Sequence, residues 1–110
     1  MTGDRRVASR IKAALKVVLS VPGRYSPESQ IAAVSVDIST YGIGLQLSEP
    51  LSEPGEVGIR IYDPSKDSTI EARGTVMWQD KGPGSLFRAG MEFTEVAWSR
   101  IHDLMRSISR

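Results

Sequence analysis

The 110-residue chain contains no cysteine and a single histidine, His102. Disulfide frameworks and thiolate metal sites are therefore excluded, and one histidine cannot form a common zinc site. No apolar run approaches the roughly 18 residues of a membrane helix. The start, MTGDRRVASR, also lacks the apolar middle region of a secretory signal. These absences predict a cytoplasmic protein that does not insert into membranes.

Signatures of catalysis are equally scarce. Ser39 has no histidine in its own segment to act as a base, and Asp37 has no obvious carboxylate partner. His102 lies on a predicted helix, where it is most simply a surface residue. The sequence contains no phosphate-binding loop of the GxxxxGK type. We therefore predict a binding module and not an enzyme.

Most of the chain consists of short segments with the alternation that is typical of half-buried strands. In YGIGLQLS, for example, Ile43, Leu45 and Leu47 share one face. VGIRIY, TIEARGTVMW and LFRAGMEF alternate likewise, and AALKVVLSV and QIAAVSVDI are strand-like in composition. Turns rich in proline and glycine separate these runs. Six such strands predict a small antiparallel β-barrel.

The period changes at the end of the chain. Thr94 can cap a helix, and Ile101, Leu104, Met105 and Ile108 then recur at the spacing of one helical face. This pattern predicts a C-terminal α-helix. We expect its apolar face to pack on the barrel, because core packing is the more common role of such a face than partner binding.

Basic residues are concentrated near the amino terminus. Through Arg24 the sequence has six arginine or lysine residues against Asp4 alone, and the remainder carries a net negative charge. This asymmetry is typical either of an arm that binds an anionic partner or of a solvated terminus. Long nucleic acid is disfavoured as that partner, because the acidic body would repel a polyanion.

The arm contains an RxxxR pair, Arg6-Val-Ala-Ser-Arg10, and Arg5 adds a third guanidinium. In extended chain, side chains four residues apart lie on the same side, so Arg6 and Arg10 can face one ligand. Guanidinium binds phosphate through paired hydrogen bonds, stacks on flat bases and fits the O6/N7 edge of guanine.

A second cluster, Asp37-Ile-Ser-Thr-Tyr-Gly42, interrupts two predicted strands. Asp37 supplies an acceptor for N–H donors such as those of guanine, and Ser39 points to the same side in an extended strand. Gly42 can take a positive φ or admit a ligand close to the backbone. Together with the arginine arm, this corner suits a small ligand that carries both phosphates and guanine bases.

These two motifs, in this order, resemble the signatures of the PilZ domain family, RxxxR followed by [D/N]xSxxG. The resemblance extends over essentially the whole chain through PGEVGIRI, ARGTVMW, FRAGMEF and the terminal helix. It implies a mainly β fold, a six-stranded antiparallel β-barrel with a C-terminal α-helix, that binds cyclic di-GMP. We expect residues 1–12 to form a flexible basic arm and residues 13–110 to form the barrel with its helix.

The resemblance also assigns roles to residues. It implies that Arg6 and Arg10 hold phosphates and guanines with help from Arg5, that Asp37 and Ser39 hydrogen-bond a guanine, and that Gly42 keeps the corner open. The arm of such a domain typically wraps over the ligand and thereby signals to a downstream protein partner. No cofactor other than this ligand is expected. Tyr41 stands where the family often has glycine, and we expect its ring to pack on the barrel and not to stack on the ligand.

Two other functions fit the same barrel. One is a protein-interaction module that works without a ligand. The other is a binder of single-stranded nucleic acid, which needs exposed aromatic side chains on which bases can stack. The alternation places Trp78, Phe87 and Phe93 on buried faces, which argues against it. An enzyme acting on cyclic dinucleotides is the least expected, for want of metal ligands.

Overall fold

The computed structural model describes residues 10–22, 28–51 and 55–109. This part of the chain forms seven strands and one helix. In chain order they are β1 (Ile11–Lys12), β2 (Lys16–Pro22), β3 (Glu28–Ile38), β4 (Gly42–Leu47), β5 (Glu56–Asp63), β6 (Ser68–Lys81), β7 (Phe87–Val96) and α1 (Trp98–Ile108).

The long strands form a closed antiparallel barrel. Their order is β3-β2-β5-β6-β7-β4, and β4 pairs with β3 again to complete the circle. The two-residue β1 pairs with the end of β3, beside β2. Closure leaves the six barrel strands without open edges. The predicted six-stranded antiparallel barrel with a C-terminal helix is confirmed.

β1 and β2 are two parts of one side of the barrel, separated by residues 13–15. The buried Ser35 of β3 fills this interruption. Its hydroxyl accepts a hydrogen bond from the Leu15 amide at 2.8 Å and donates one to the Ala13 carbonyl. The Ser35 amide in turn donates to the Leu15 carbonyl at 2.9 Å. A buried side chain thus satisfies backbone groups that lack regular ladder partners.

The interior follows the predicted alternation closely. Ile43, Leu45 and Leu47 of β4 are almost fully buried, and so are Val57, Ile59 and Ile61 of β5. The prediction that Trp78 faces the interior is wrong, because its side chain is 53% exposed. A β-bulge between Val76 and Trp78 shifts the register of β6 against β7, and an extra residue of this kind reverses the face to which the next residues of the strand point.

The helix covers part of the barrel with its apolar face. Ile101 and Leu104 are buried, and Met105 and Ile108 pack against the same core, as predicted. The predicted cap at Thr94 is wrong: Thr94 remains in β7, and the helix begins after Ala97 without a side-chain cap. Among the described residues, no helix has both the length and the apolar character needed to cross a bilayer.

Candidate functional site

The two sequence motifs meet at the end of β3. Arg10 directly precedes β1, whose Lys12 is the strand partner of Asp37. The Arg10 guanidinium Nη1 donates to Asp37 Oδ1 at 2.6 Å, across 27 residues of chain. The Arg10 side chain is 53% exposed and that of Asp37 29% exposed. Arg10 and Asp37 therefore lie close together, as predicted, and form a solvent-accessible ion pair.

The other two arginines of the arm, Arg5 and Arg6, lie outside the described residues. The division at residue 12 into arm and barrel also stays a prediction. Arg10 stands before the first strand, whereas Ile11 and Lys12 are paired with β3. Among residues 10–22, sheet pairing thus begins one residue after Arg10.

Two glycines form a floor beside this ion pair. Asp37, Gly44, Gly90 and Trp78 are successive cross-strand partners on β3, β4, β7 and β6. Partners in register point to the same side of a sheet, here the outer surface of the barrel. The Asp37 carboxylate lies over Gly44, where an added Cβ would be 2.6 Å from Asp37 Oδ1. Glycine at these two positions leaves room for the larger side chains that cover them.

The indole of Trp78 covers the second glycine. A Cβ on Gly90 would be 2.1 Å from Trp78 Nε1 and 2.5 Å from Cε2, so the pyrrole edge of the ring rests on this position. The bulge that turns Trp78 outward and the missing side chain at Gly90 together create the arrangement. An aromatic ring and a carboxylate thus lie over adjacent strands on one outer face.

Ser39 occupies the turn between β3 and β4 and is only 3% exposed. Its hydroxyl accepts hydrogen bonds from the amides of Tyr41 at 3.1 Å and Gly42 at 3.2 Å. Its own amide donates to the Gly42 carbonyl at 2.9 Å. Serine hydroxyls commonly stabilise turns in this way. The structure therefore gives Ser39 a role in shaping the corner, and its predicted contact with a guanine stays a prediction.

Of the two roles predicted for Gly42, the positive φ is absent, and the structure adds a third role. Its φ is not positive. An added Cβ would be 2.1 Å from the backbone oxygen of Met91, so only glycine permits this approach of β4 to β7. Gly42 thus keeps the two strands together beneath the corner. Its predicted ligand contact is a separate question and stays a prediction.

A cleft of ≈ 170 Å³ runs along this face. Its lining combines the arginine, the turn and the aromatic residues: Arg10, Ser39, Tyr41, Gly42, Met77, Trp78, Gly90, Met91 and Glu92. Tyr41 is 48% exposed and Met77 58% exposed. Tyr41 is thus half exposed beside the cleft, and whether its ring packs on the barrel, as we expect, or stacks on a ligand stays a prediction.

Sequence reasoning missed Gly44, Met77, Trp78 and Gly90 as residues of this face. The alternation did assign Gly44 and Gly90 to the outer positions of their strands. An outward glycine in a strand interior weakens the strand and often marks a close approach, so these two glycines were a signal that could have identified this face. The exposed Trp78 also removes part of the objection to single-stranded nucleic acid.

The ion pair keeps hydrogen-bonding capacity for a ligand. A guanidinium has five N–H donors and a carboxylate two acceptor oxygens, whereas the contact at 2.6 Å joins one nitrogen to one oxygen. The site can therefore offer a donor and an acceptor side by side. In the described part of the chain, no group of three histidine, aspartate or glutamate side chains is arranged to hold a metal ion.

Comparison with known proteins gives a consistent result. The family model of the PilZ domain matches residues 4–108. The structure resembles that of the Bacillus subtilis inhibitor of motility (MotI/DgrA), with 25% sequence identity and a TM-score of 0.76. That alignment covers 97% of this chain and 51% of the other, so this chain spans about half the length of that protein. Curated protein sequences give no match.

Two further structures share the fold. One is the PilZ domain of YcgR from Escherichia coli with c-di-GMP, at 19% identity and a TM-score of 0.67, covering 96% of this chain and 89% of that one. The other is the PilZ domain of CeSA from a cellulose-synthesizing bacterium, at 20% identity and a TM-score of 0.60, covering 91% and 94%. At these identities the likeness shows the barrel architecture.

Proposed function

The chain belongs to the PilZ domain family, and from this membership we propose that it is a receptor that binds cyclic di-GMP without turning it over. PilZ domains are regulatory binding domains. The observation that carries the proposal is the contact between Arg10 and Asp37, because each residue comes from one of the two motifs that the resemblance assigns to the ligand.

The chemistry of this pair suits guanine. On guanine the O6 acceptor is next to the N1–H donor. Arg10 offers N–H donors next to the Asp37 carboxylate, which has a second oxygen available to accept. The proposed contact therefore joins donor to acceptor at both positions. Charge-assisted hydrogen bonds of this kind are about twice as strong as neutral ones.

The remaining part of the proposal concerns the arm. Arg5 and Arg6 would bind the ligand phosphates, since guanidinium groups pair with phosphate oxygens through two parallel hydrogen bonds. Ordering of the arm on the bound ligand would present a changed surface to a downstream protein partner in the cytoplasm. Because the entropy of ordering is lost only when ligand is present, such an arm can act as a switch.

Isothermal titration calorimetry with cyclic di-GMP tests the proposal. Wild type is expected to bind, and Arg6→Ala, Arg10→Ala and Asp37→Ala are each expected to weaken binding by about 1.5–3 kcal/mol, the value of a hydrogen bond to a charged group. This loss corresponds to more than about tenfold in Kd.

Arg73→Ala is the matched control. Arg73 is 54% exposed and pairs with Glu56 at 3.0 Å, so it resembles Arg10 in exposure and pairing but lies outside the cleft. It is expected to bind cyclic di-GMP as wild type does. Absence of binding heat for wild type at high ligand concentration, or equal affinity of all four variants, contradicts the proposal.

The exposed Trp78 favours one second candidate, single-stranded nucleic acid. Base stacking on aromatic side chains is the main sequence-tolerant contact of such proteins. This candidate predicts oligonucleotide binding whose affinity falls steeply with salt concentration. Fluorescence anisotropy with a labelled oligonucleotide at two salt concentrations distinguishes it, because the cyclic di-GMP receptor is expected to show no such binding. A protein partner captured equally with and without cyclic di-GMP favours instead the ligand-independent interaction module.

A further inference from the structure

Two lysines of the basic amino-terminal segment have no part in the proposed ligand site. Lys12 is the strand partner of Asp37, and Lys16 is the strand partner of Val34. Partners in register point to the same side of a sheet, so both lysines lie on the outer surface of the barrel. The proposed function accounts for the arginines of this segment and leaves these two lysines without a role.

A row of polar and charged side chains runs across the barrel from the second of these lysines. Five residues on β2, β3, β4, β7 and β6 are successive cross-strand partners: Lys16, Val34, Gln46, Arg88 and Asp80. Asp80 is the one carboxylate of this row and lies at its far end. Along β4, β7 and β6 the row is two residues from the floor of Gly44 and Gly90, a distance of about 7 Å.

Three cations of this surface have no acidic partner. Lys12, Lys16 and Arg88 are exposed, and none of them forms an ion pair with any residue that the structure describes. Elsewhere on the barrel, Arg60 and Arg73 each contact a carboxylate. An anionic partner can therefore pair with the three cations without first breaking an internal ion pair, which is the charge complementarity that guides protein association.

A groove of ≈ 430 Å³ opens beside this row. Its lining includes Lys12, Val34 and Gln46, together with the small Ala13 and Ala14. Val34 is 47% exposed, although it lies in the interior of β3. The other two cations are the direct strand neighbours of this valine and this glutamine, so positive charge borders an apolar floor on both sides. A narrow peptide chain fits such a groove better than a flat membrane surface does.

The spacing of the cations restricts the sequence of that peptide. Lys16 and Arg88 are separated by three steps between neighbouring strands, which is about 14 Å. An extended peptide rises about 3.3 Å per residue, and its alternate side chains point to one side, so residues four apart are about 13 Å from each other on the same side. Two acidic side chains at this spacing match the two cations, and the residue midway between them lies over Val34 and Gln46.

We propose that this surface, which we call the basic groove (Lys12, Lys16, Val34, Gln46 and Arg88), docks an extended acidic segment of a partner protein. Two carboxylates four residues apart in the partner pair with Lys16 and Arg88, and an apolar side chain midway between them packs on Val34. Lys12 adds a third positive charge beside the segment. This docking goes beyond the proposed ligand and does not depend on cyclic di-GMP binding.

NMR titration of isotope-labelled protein with a synthetic peptide tests the proposal. The peptide has two glutamates four residues apart, a leucine midway between them and serine elsewhere. The amide signals of the basic groove are expected to shift on addition of the peptide and to return at about 1 M salt, where the screening length is only about 3 Å. Two control peptides, one with glutamine in place of glutamate and one with both glutamates directly beside the leucine, are expected to bind more weakly.

Charge-reversal variants locate the binding surface. Lys16→Glu and Arg88→Glu are each expected to weaken the peptide at least about threefold, because repulsion replaces an exposed ion pair. Val34→Ala is expected to weaken it about two- to fourfold through lost apolar contact. Arg106→Glu is the matched control: it changes the net charge equally, but Arg106 lies on α1 and is 75% exposed. It is expected to bind the peptide as wild type does, and the NMR spectrum of each variant reports its fold.

The outcomes separate docking of a peptide from its alternatives. Absence of shifts around Val34 and Gln46, equal binding of the glutamine peptide, or an equal loss in Arg106→Glu overturns the proposal. Sedimentation with phosphatidylglycerol vesicles is the second arm. Vesicle binding that Lys16→Glu and Arg88→Glu abolish, without peptide binding, assigns the groove to a lipid surface and also overturns it. Neither arm contains cyclic di-GMP, so failure here leaves the proposed function standing, and failure of the cyclic di-GMP titration leaves this proposal standing.

Discussion

Two outer faces of this barrel have a similar layout and different chemistry. The first carries the cleft and has Gly44 and Gly90 between Asp37 and Trp78. The second lies across β2, β5, β6 and β7, where Ser20, Gly58, Arg73 and Glu95 are successive cross-strand partners. It holds a larger depression of ≈ 540 Å³, against ≈ 170 Å³ for the cleft. We call these two regions the cleft face and the Gly58 face.

The two arginines of the Gly58 face are each paired with a carboxylate. Arg73 contacts Glu56 at 3.0 Å, Thr94 donates to the same carboxylate at 2.7 Å, and Arg60 contacts Glu71 at 3.4 Å. No aromatic residue lines its depression in the described part of the chain. The cleft face combines one ion pair with exposed aromatic rings. The two faces therefore differ in their aromatic lining and not in whether their arginines are paired, and the proposed ligand site is the smaller of the two depressions.

The two faces are expected to differ most in the stability lost when a glycine, Gly42 or Gly58, is replaced by alanine. Gly42→Ala places a Cβ 2.1 Å from the backbone oxygen of Met91, which cannot move without separating β4 from β7. We expect a loss of about 3 kcal/mol in the free energy of unfolding, the upper range for overpacking. Urea denaturation of both proteins measures it.

Gly58→Ala is the matched variant on the other face. Its Cβ would be 3.3 Å from the Ser20 Cβ, and the intrinsic strand preference of alanine offsets this crowding. A change within about 1 kcal/mol is expected. Equal losses in the two variants would show that Gly42 has no special role in joining β4 to β7.

A smaller effect is expected where a side chain and not the backbone must move. Gly90→Ala brings a Cβ within 2.1 Å of Trp78 Nε1, and the indole can rotate away. We expect a loss of about 1 kcal/mol in unfolding free energy and a red shift of Trp78 emission as the ring enters solvent. Fluorescence in a Trp98→Phe background measures the shift. An emission maximum identical to that of the background protein would mean that the indole does not rest on Gly90.

The smallest expected effect belongs to Glu56 on the Gly58 face. Hydrogen bonds from Thr94 and from Arg73 hold the pKa of Glu56 below its ordinary value. The stabilisation from this lowered pKa is fully present above the ordinary glutamate pKa and is lost as the pH falls through the lowered folded value. Thr94→Val is expected to raise the pKa of Glu56 towards its ordinary value, as NMR titration of the carboxyl carbon measures. A pKa unchanged by this substitution would contradict the assignment to Thr94.

The sequence predicted the barrel because alternation of period two reports directly on which side chains are buried. The alternation gave the wrong face for Trp78, because the bulge beside it is visible only in the pairing of β6 with β7 and not in the residue types of either strand. Thr94 does not cap the helix, because β7 continues through Val96 and strand pairing outweighs the local preference of threonine for a helix N-cap.

Some residues of the candidate site were predicted from the sequence and others were not. The proximity of Arg10 and Asp37 was predicted only from the family resemblance, which links their two motifs. Periodicity along the chain could not predict it, because the two residues are 27 positions apart. Ser39 and Gly42 were identified, but their visible roles are in the turn and in the approach of two strands, which depend on atoms of distant segments. The floor of Gly44 and Gly90 required the register of β4 against β7, which a single sequence does not contain.

The interruption at residues 13–15 bears on how this domain can change in length. β1 and β2 both pair with β3. The segment between them must therefore pass Ser35 with a fixed number of residues. One residue more or fewer would turn β1 over and send its outward side chains inward. An insertion here would separate Arg10 from Asp37. The spacing of this short segment is therefore as much a determinant of the site as the side chains themselves.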